Sequence, residues 1–454
     1  MSKSKISRSL LRFLYRHEVL FQGFFLAHKA IVKLGEIAIQ SLILKQITKS
    51  EHISSTKQAH SNSIVFLIPN LGPGGSERQI INLANYLSLE NRTKKSGFEE
   101  IILVCFDCSK APHNFYVDKL DTSVKVIDLK KYLTLKNSMK SILRYPEYFW
   151  LGRRIAYFDQ VMTLIKFKNP RVDNGWLDDP AIVIGLAAVS KRIPKVILST
   201  RNLNPTNFLT YKFYMKSAYT ALSTYQNVKL INNSKAGAES YEKWLNFPPN
   251  TIRVIANGYP LDEFQSIKNR DIRTQSKSNI IIGSVVRFSR EKDIDLWIET
   301  AIELSKLNSN VKFELYGDGP AKAALVKKIQ SRGLNYILSV NSGTKKIYEV
   351  MQSFDIFLLT SKYEGLPNVL IEAQLLGIPV VATNVGGSAE TFIPGETGIL
   401  ITHRRPTEIA NQINSLIKDS YRHTDFSTKA SIFAEKRFDI RLIGNQYTEL
   451  FNTI

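Results

Sequence analysis

The stretch from residue 356 to 383, IFLLTSKYEGLPNVLIEAQLLGIPVVAT, sets the tightest constraint on how this chain folds. IFLLTS and IPVVAT each read as a short strand, apolar and bounded by loop signals. Between them Pro367 suits the first helical position and Gly377 the position past the last turn, so the spacing predicts a helix over 367–376. Strand, loop, helix and strand in so short a span make a βαβ unit, and such units build parallel sheets covered by helices. The loop carries Glu364, and Glu372, eight positions on, lies about a turn and a half into the helix. The free backbone N–H groups of Asn368 and Val369, at the positive end of that helix, are placed to hold a phosphate between the two acids. VGGSAE, which follows, reads as a glycine loop opening another helix.

The same alternation runs along most of the chain. SIVFLIP is a strand, NLGPGGSERQ a glycine loop and IINLANYLSL a helix; IILVCF, VKVIDL, KVILST and KLINNS are further strands, and AIVIGLAAVSKRI is a helix. The polar SIKNRDIRTQSKSN reads as a linker. A second series starts at IIIGSVVRF and continues through a helix at LWIETAIELSKL, a strand at VKFELYG, a turn at DGP and a helix at AKAALVKKIQSRG. The expected architecture is α/β, two Rossmann-like domains facing across a cleft, with ligands at the C-terminal ends of the strands. Its parts are a helical extension over 1–50, an N-terminal domain over 63–262, a C-terminal domain over 278–430, and a C-terminal helix over 431–454 packing back on the first domain.

A formal net charge of +21 favours anionic partners: nucleotides, nucleic acid or acidic lipid. In the first 50 residues Lys3, Lys5, Arg8, Arg12, Arg16, Lys29 and Lys33 interleave with apolar side chains as in a basic amphipathic helix. Such a segment suits an anchor on an anionic inner membrane leaflet, and equally an arm packed on the body of the protein. No apolar run there approaches the roughly twenty residues of a spanning helix, and no secretion signal is recognisable. Cys105 and Cys108 have C-x-x-C spacing but no second pair, and residues three apart on a strand point to opposite faces. They read as unbridged strand cysteines in a reducing cytoplasm rather than as a redox or zinc site.

Arg287 and Lys292 follow the first strand of the second series, where a diphosphate would meet a guanidinium fork and a flexible ammonium. Gly72, Gly74 and Gly75 let backbone approach a ligand closely, although neither GxGxxG nor a P-loop is present. ELYGDGP reads as a turn, with Asp318 capping the next helix.

Taken together, LGPGGSERQ, VIANGYPLDEF, VVRFSREKD, ELYGDGP and EGLPNVLIEAQLLGIPVVATNVGGSAE resemble glycosyltransferase family 4, retaining enzymes of the GT-B fold, over most of 63–430. The resemblance implies that Glu372 accepts hydrogen bonds from the ribose of a nucleotide and that Glu364 faces the transferred sugar. It implies a catalytic set of Glu364, Arg287 and Lys292, the two cations neutralising the donor diphosphate. It implies a donor-binding set of Glu372, Gly74, Gly75, Gly365, Leu366, Asn368 and Val369, front-side attack assisted by the leaving phosphate, and no metal or cofactor beyond the nucleotide sugar itself.

Three positions depart from the family pattern: Val286 and Pro367 replace glycines, and LSTRNLNP stands where a histidine is common. Arg201 and Asn202 are therefore expected to meet an acidic or phosphorylated acceptor, with Trp176 either an acceptor platform or a core residue. The implied activity moves a sugar from a UDP-sugar to a growing glycan, free or linked to polyprenyl diphosphate, in capsule or lipopolysaccharide synthesis. Its place would be the cytoplasm, at the inner face of the plasma membrane, with no nucleic acid as partner. Two other readings compete: a nucleotide-sugar epimerase of similar shape, which needs an acid/base pair, and a nucleic-acid-binding protein, which needs steep salt dependence.

Overall fold

The computed structural model describes residues 59–93, 97–133, 140–141, 143–145, 151, 154–268 and 279–453; the extension expected over 1–50 and most of the linker lie outside them. Two parallel sheets carry the fold. The first contains β1 (Ser61–Ile68), β2 (Glu100–Cys105), β3 (Lys125–Asp128), β4 (Pro170–Trp176), β5 (Lys195–Thr200), β6 (Val228–Asn232) and β7 (Arg253–Val254), in the order 3-2-1-4-5-6-7. The second contains β8 (Ile280–Val285), β9 (Val311–Tyr316), β10 (Leu338–Asn341), β11 (Ile356–Leu359), β12 (Val380–Thr383) and β13 (Gly398–Ile401), in the order 10-9-8-11-12-13.

Helices on both faces bury these strands, so their apolar runs are nearly continuous rather than alternating: Ile64 to Ile68 is buried without a break, as is Ile356 to Leu359. In both sheets the chain first builds outward on one side and then returns to build on the other. The order reverses between β1 and β4 and again between β8 and β11, and each reversal leaves a crevice at the strand ends. The loops after β1, β8 and β11 hold LGPGGSERQ, RFSREK and SKYEGLP, so the motifs singled out in the sequence flank the two crevices.

The helices that position the crevices are α1 (Gly75–Arg92), α2 (Asp178–Ser190), α3 (Lys235–Leu245), α4 (Asn368–Leu375), α5 (Ser420–Phe438) and α6 (Ile440–Asn452). At Asp439 the chain passes from one sheet to the other. Before it, α5 buries Phe426, Ala434 and Phe438 in the core of the second sheet; after it, α6 buries Ile443, Tyr447, Leu450 and Phe451 in that of the first. The Asp439 carboxylate accepts from the Arg441 N–H at 2.9 Å and caps α6. The forward and return passages bond to each other: the Tyr259 N–H donates to the Phe438 carbonyl at 2.8 Å and the Ile440 N–H to the Tyr259 carbonyl at 2.9 Å.

Four details differ from the sequence reading. PRVDNGW forms β4, beside β1 at the centre of the first sheet, although Arg171, Asp173 and Asn174 hid it from a search for apolar runs. Burial pushes the Asp173 carboxyl well up, so it sits among the strands as the neutral acid. VGGSAE opens no helix beyond a single 3-10 turn at Ser388–Glu390, because Pro394 lies too close for one to continue. Helix α4 begins at Asn368, with Pro367 in extended conformation at its N-cap. The cysteines are unbridged, but β2 ends at Cys105 and the chain turns back, bringing the Cys108 thiol into hydrogen-bond contact with Cys105 instead of to the opposite face.

Candidate active site

The crevices of the two sheets face each other and merge into one cleft of about 840 Å³. Gly74, Gly75, Arg201 and Asn202 line it from the first sheet, and Arg287, Lys292, Glu364, Gly365, Leu366, Asn368, Val369 and Glu372 from the second. Of the candidate residues, Trp176 alone is not in the lining. It is 1 % exposed, its indole N–H donates to the Ser76 carbonyl at 3.0 Å, and its ring lies under Arg201, so of its two readings the core position holds and the acceptor platform does not.

Glu364 is set by the loop after β11. Its Oε1 accepts from Lys292 Nζ and from Ser361 Oγ, each at 2.6 Å, so the acid and the base meet across the mouth of the second crevice. The loop is stitched from behind: Arg404 Nη1 donates to the Ser361 carbonyl at 2.9 Å and Nη2 to that of Thr360 at 2.7 Å, while the Gly387 N–H holds the Gly365 carbonyl at 2.8 Å. Gly365 has no room for a side chain, since a Cβ there would stand 2.6 Å from the Arg201 carbonyl oxygen. Arg287 is exposed to the cleft. Within α4, the Asn368 and Val369 N–H groups open the helix beneath this cationic rim.

Contacts across the cleft hold the two walls together. Arg78, in the first turn of α1, forms an ion pair with Glu372 of α4 and donates to Tyr116 and Tyr348 hydroxyls, each at 3.1 Å. Burial works against the Arg78 charge, but Glu372 together with Tyr348, Tyr116 and Tyr259 more than offsets it and keeps the guanidinium ionised. The Tyr259 hydroxyl donates to the same carboxylate at 3.2 Å. Of the Glu372 carboxylate, for which the resemblance implies a ribose partner, Oε1 is held by Arg78 and Tyr259. Asn368 Oδ1 accepts from Asn257 Nδ2 at 2.6 Å, from the Tyr259 hydroxyl at 2.7 Å and from Gln79 Nε2 at 3.3 Å. Its amide comes so close that a Cβ on Gly75 would lie 2.3 Å from Nδ2, which is a packing reason for that glycine. Outside the cleft Glu390 also joins the two domains, accepting from the Lys235 and Ala236 N–H groups at 2.7 and 2.8 Å at the start of α3, beside the Ser234 cap.

Glu77 lies beside these groups, on the cleft lining next to Arg78. Burial pushes its carboxyl up to about 7, against its own backbone N–H and the charge of Arg287. Arg78, Glu77, Asn257 and Tyr259 all fall inside stretches the sequence marked, GGSERQ and IANGYP, yet none was assigned a part. The available signal was position: a charged pair in the first turn after a glycine loop faces whatever the loop faces.

Residues 265–432 match the family described as glycosyl transferases group 1. The chain is 27% identical over 397 residues to the Vi polysaccharide biosynthesis protein VipC/TviE of Salmonella typhi, covering 82% of this chain and 68% of that protein. It is 24% identical to the capsular polysaccharide biosynthesis glycosyltransferase CapM of Staphylococcus aureus, over 67% of this chain and 83% of the other. Among solved structures it is similar to HepE of Anabaena in complex with UDP and glucose, with a TM-score of 0.69 at 21% identity over 86% of this chain and 99% of that one. A glycosyltransferase from Rickettsia africae gives 0.67 at 19% over 87% and 98%. The structural likenesses show the GT-B fold, and the family match places a glycosyl transferases group 1 domain at 265–432, on the wall that carries Arg287, Lys292, Glu364 and Glu372.

Proposed function

We propose that the protein is a retaining glycosyltransferase that moves a sugar from a UDP-sugar to a growing glycan in cell-surface polysaccharide synthesis. The observation that carries this reading is the Lys292–Glu364 pair beside Arg287, at the mouth of the crevice between β8 and β11 and over the N-terminus of α4. Arg287, Lys292 and the Asn368 and Val369 N–H groups meet the charge that develops on the departing diphosphate, so no metal is needed for that task. The bond between the anomeric carbon and the diphosphate oxygen breaks. The acceptor hydroxyl attacks from the same face, and its proton passes to an oxygen of the leaving phosphate. Glu364, held by its contact with Lys292, orients the sugar during this exchange. UDP is the nucleotide bound in the HepE structure, and polysaccharide synthesis is the named process of the Salmonella and Staphylococcus relatives, which supports both choices.

The test is calorimetric titration with UDP, UMP and GDP. Wild type is expected to bind UDP selectively, and Arg287→Ala to weaken it about tenfold to a hundredfold, the worth of a charge-assisted bond. Absence of nucleotide binding by a folded protein would overturn the donor site. Among the described residues no helix is long and apolar enough to cross a membrane. For a lipid-linked acceptor we propose that residues 1–50 dock on an anionic leaflet; vesicle sedimentation unchanged by their deletion would refute it.

A further inference from the structure

Arg201 follows β5 directly and is 8 % exposed on the cleft wall. Its surroundings are well built but carry no counter-charge. The Trp176 ring lies 4.2 Å beneath the guanidinium, Nη1 donates to the Tyr447 hydroxyl at 2.9 Å, and Nη2 donates to Asn257 Oδ1 at 2.5 Å. Among the described residues no carboxylate pairs with it, and its Nε has no partner at all. Burial pushes the Tyr447 phenol up, so that hydroxyl stays neutral and is not a hidden anion. Arg78, a part-buried cation of the same cleft, shows the usual arrangement, with Glu372 directly against it.

A buried guanidinium is normally paired, because removing an ion from water is costly unless an opposite charge replaces the lost solvation. Here ring and hydroxyl hold the group in place while at most two of its five N–H donors are used by Tyr447 and Asn257. On the same wall Asn233 Oδ1 is also buried and unpartnered. The residue's own carbonyl abuts Gly365, and Asn257, which accepts from Nη2, donates to the Leu366 carbonyl at 3.3 Å, so one side chain separates this unpaired charge from the loop assigned to the transferred sugar.

We propose that Arg201 receives an anionic oxygen group, a carboxylate or phosphate, carried by the saccharide in the cleft, and so selects acidic over neutral sugars. The inference rests on the reading of the cleft as a sugar-transfer site. The anion has two possible carriers, the transferred sugar or the acceptor, and one experiment separates them.

Full-length wild type, Arg201→Gln and Arg201→Lys are titrated calorimetrically at fixed salt with two ligand pairs. UDP-glucose against UDP-glucuronate tests the donor; maltotetraose against tetragalacturonate, with and without UDP, tests the acceptor. Wild type is expected to prefer the acidic member of one pair at least tenfold, Arg201→Gln to reduce that preference below threefold, and Arg201→Lys to keep part of it. The pair that shows the preference identifies the carrier. Arg201→Gln is expected to melt at or above the wild-type temperature, since an uncompensated charge is removed; a merely structural arginine would lower it. Equal binding of acidic and neutral members by wild type in both pairs, or a preference that survives in Arg201→Gln, overturns the proposal. Failure of UDP to bind would instead refute the donor reading, and the oligosaccharide pair without nucleotide would still decide for or against Arg201.

Discussion

At the residue scale, the cleft is defined by how its buried charges are matched. Glu372 has Arg78, Glu364 has Lys292, and Glu77 has only its own backbone and the more distant Arg287. Removing one member of a matched buried pair strands the other, so Arg78→Ala is expected to cost about 3 kcal/mol in chemical denaturation. Arg78→Ala combined with Glu372→Gln should recover more than half of that loss, and simple additivity of the two would refute the pairing. Glu77 makes a pH prediction. Its folded value of about 7 lies above the 4.5 of the free group, so its stabilising share is complete below pH 4.5 and is lost as pH rises through 7. The span corresponds to about 3 kcal/mol at most. Thermal melts should therefore show Glu77→Gln gaining on wild type between pH 5 and pH 8. In the same interval ionised Glu77 would repel a diphosphate bound at Arg287 as proposed, and UDP affinity of wild type should fall relative to Glu77→Gln. Parallel pH profiles would contradict this.

Among the elements, the site depends on three loops that end strands and on helices held from the opposite domain. The loop after β11 tolerates no side chain at Gly365 because the carbonyl of Arg201 is already there. Gly365→Ala should push the walls apart and lower kcat/KM by about a hundredfold, as an ångström of misplacement does, with little change in melting temperature. An unaltered kcat/KM would show that the walls do not need this contact. Helix α3 is capped by its own Ser234, and Glu390 of the other domain accepts from two more of its first N–H groups, so Glu390→Ala should cost about 1 kcal/mol and loosen closure as well. The elements also show what a pattern search misses. Strand β4 carries Asp173 and Asn174 inside, and VGGSAE spends its glycines on contact with the Glu364 loop rather than on starting a helix.

For the whole molecule, the two sheets repeat one plan and are tied by a chain that crosses twice at the same place. Tyr259 bonds to both sides of that crossing, and α6 completes the core of the first sheet with residues from the far end of the chain. Deleting residues 440–454 removes Ile443, Tyr447, Leu450 and Phe451 from that core, at about 1.5–3 kcal/mol each, which approaches the full stability of a domain. The truncated chain should be insoluble or melt far below the intact one; a truncation that melts normally would show that α6 is dispensable. Both sheets, the basic loop, the turn of Gly365 and the helix of Glu372 were legible in the sequence, because strand runs, glycines and a proline act through local sterics and burial. Hydrophobic period and turn chemistry are properties of neighbouring residues, and a linear reading reaches them. The sequence did not reveal that Arg78 closes on Glu372, that Asn368 is clasped by Asn257 and Tyr259, that Trp176 lies beneath Arg201, or that Arg201 is left without an anion. The first three are pairings between groups up to 294 residues apart in the chain, and the fourth is a pairing that no described residue supplies. Only the closure of one sheet upon the other decided which charges would be met and which would wait for a substrate.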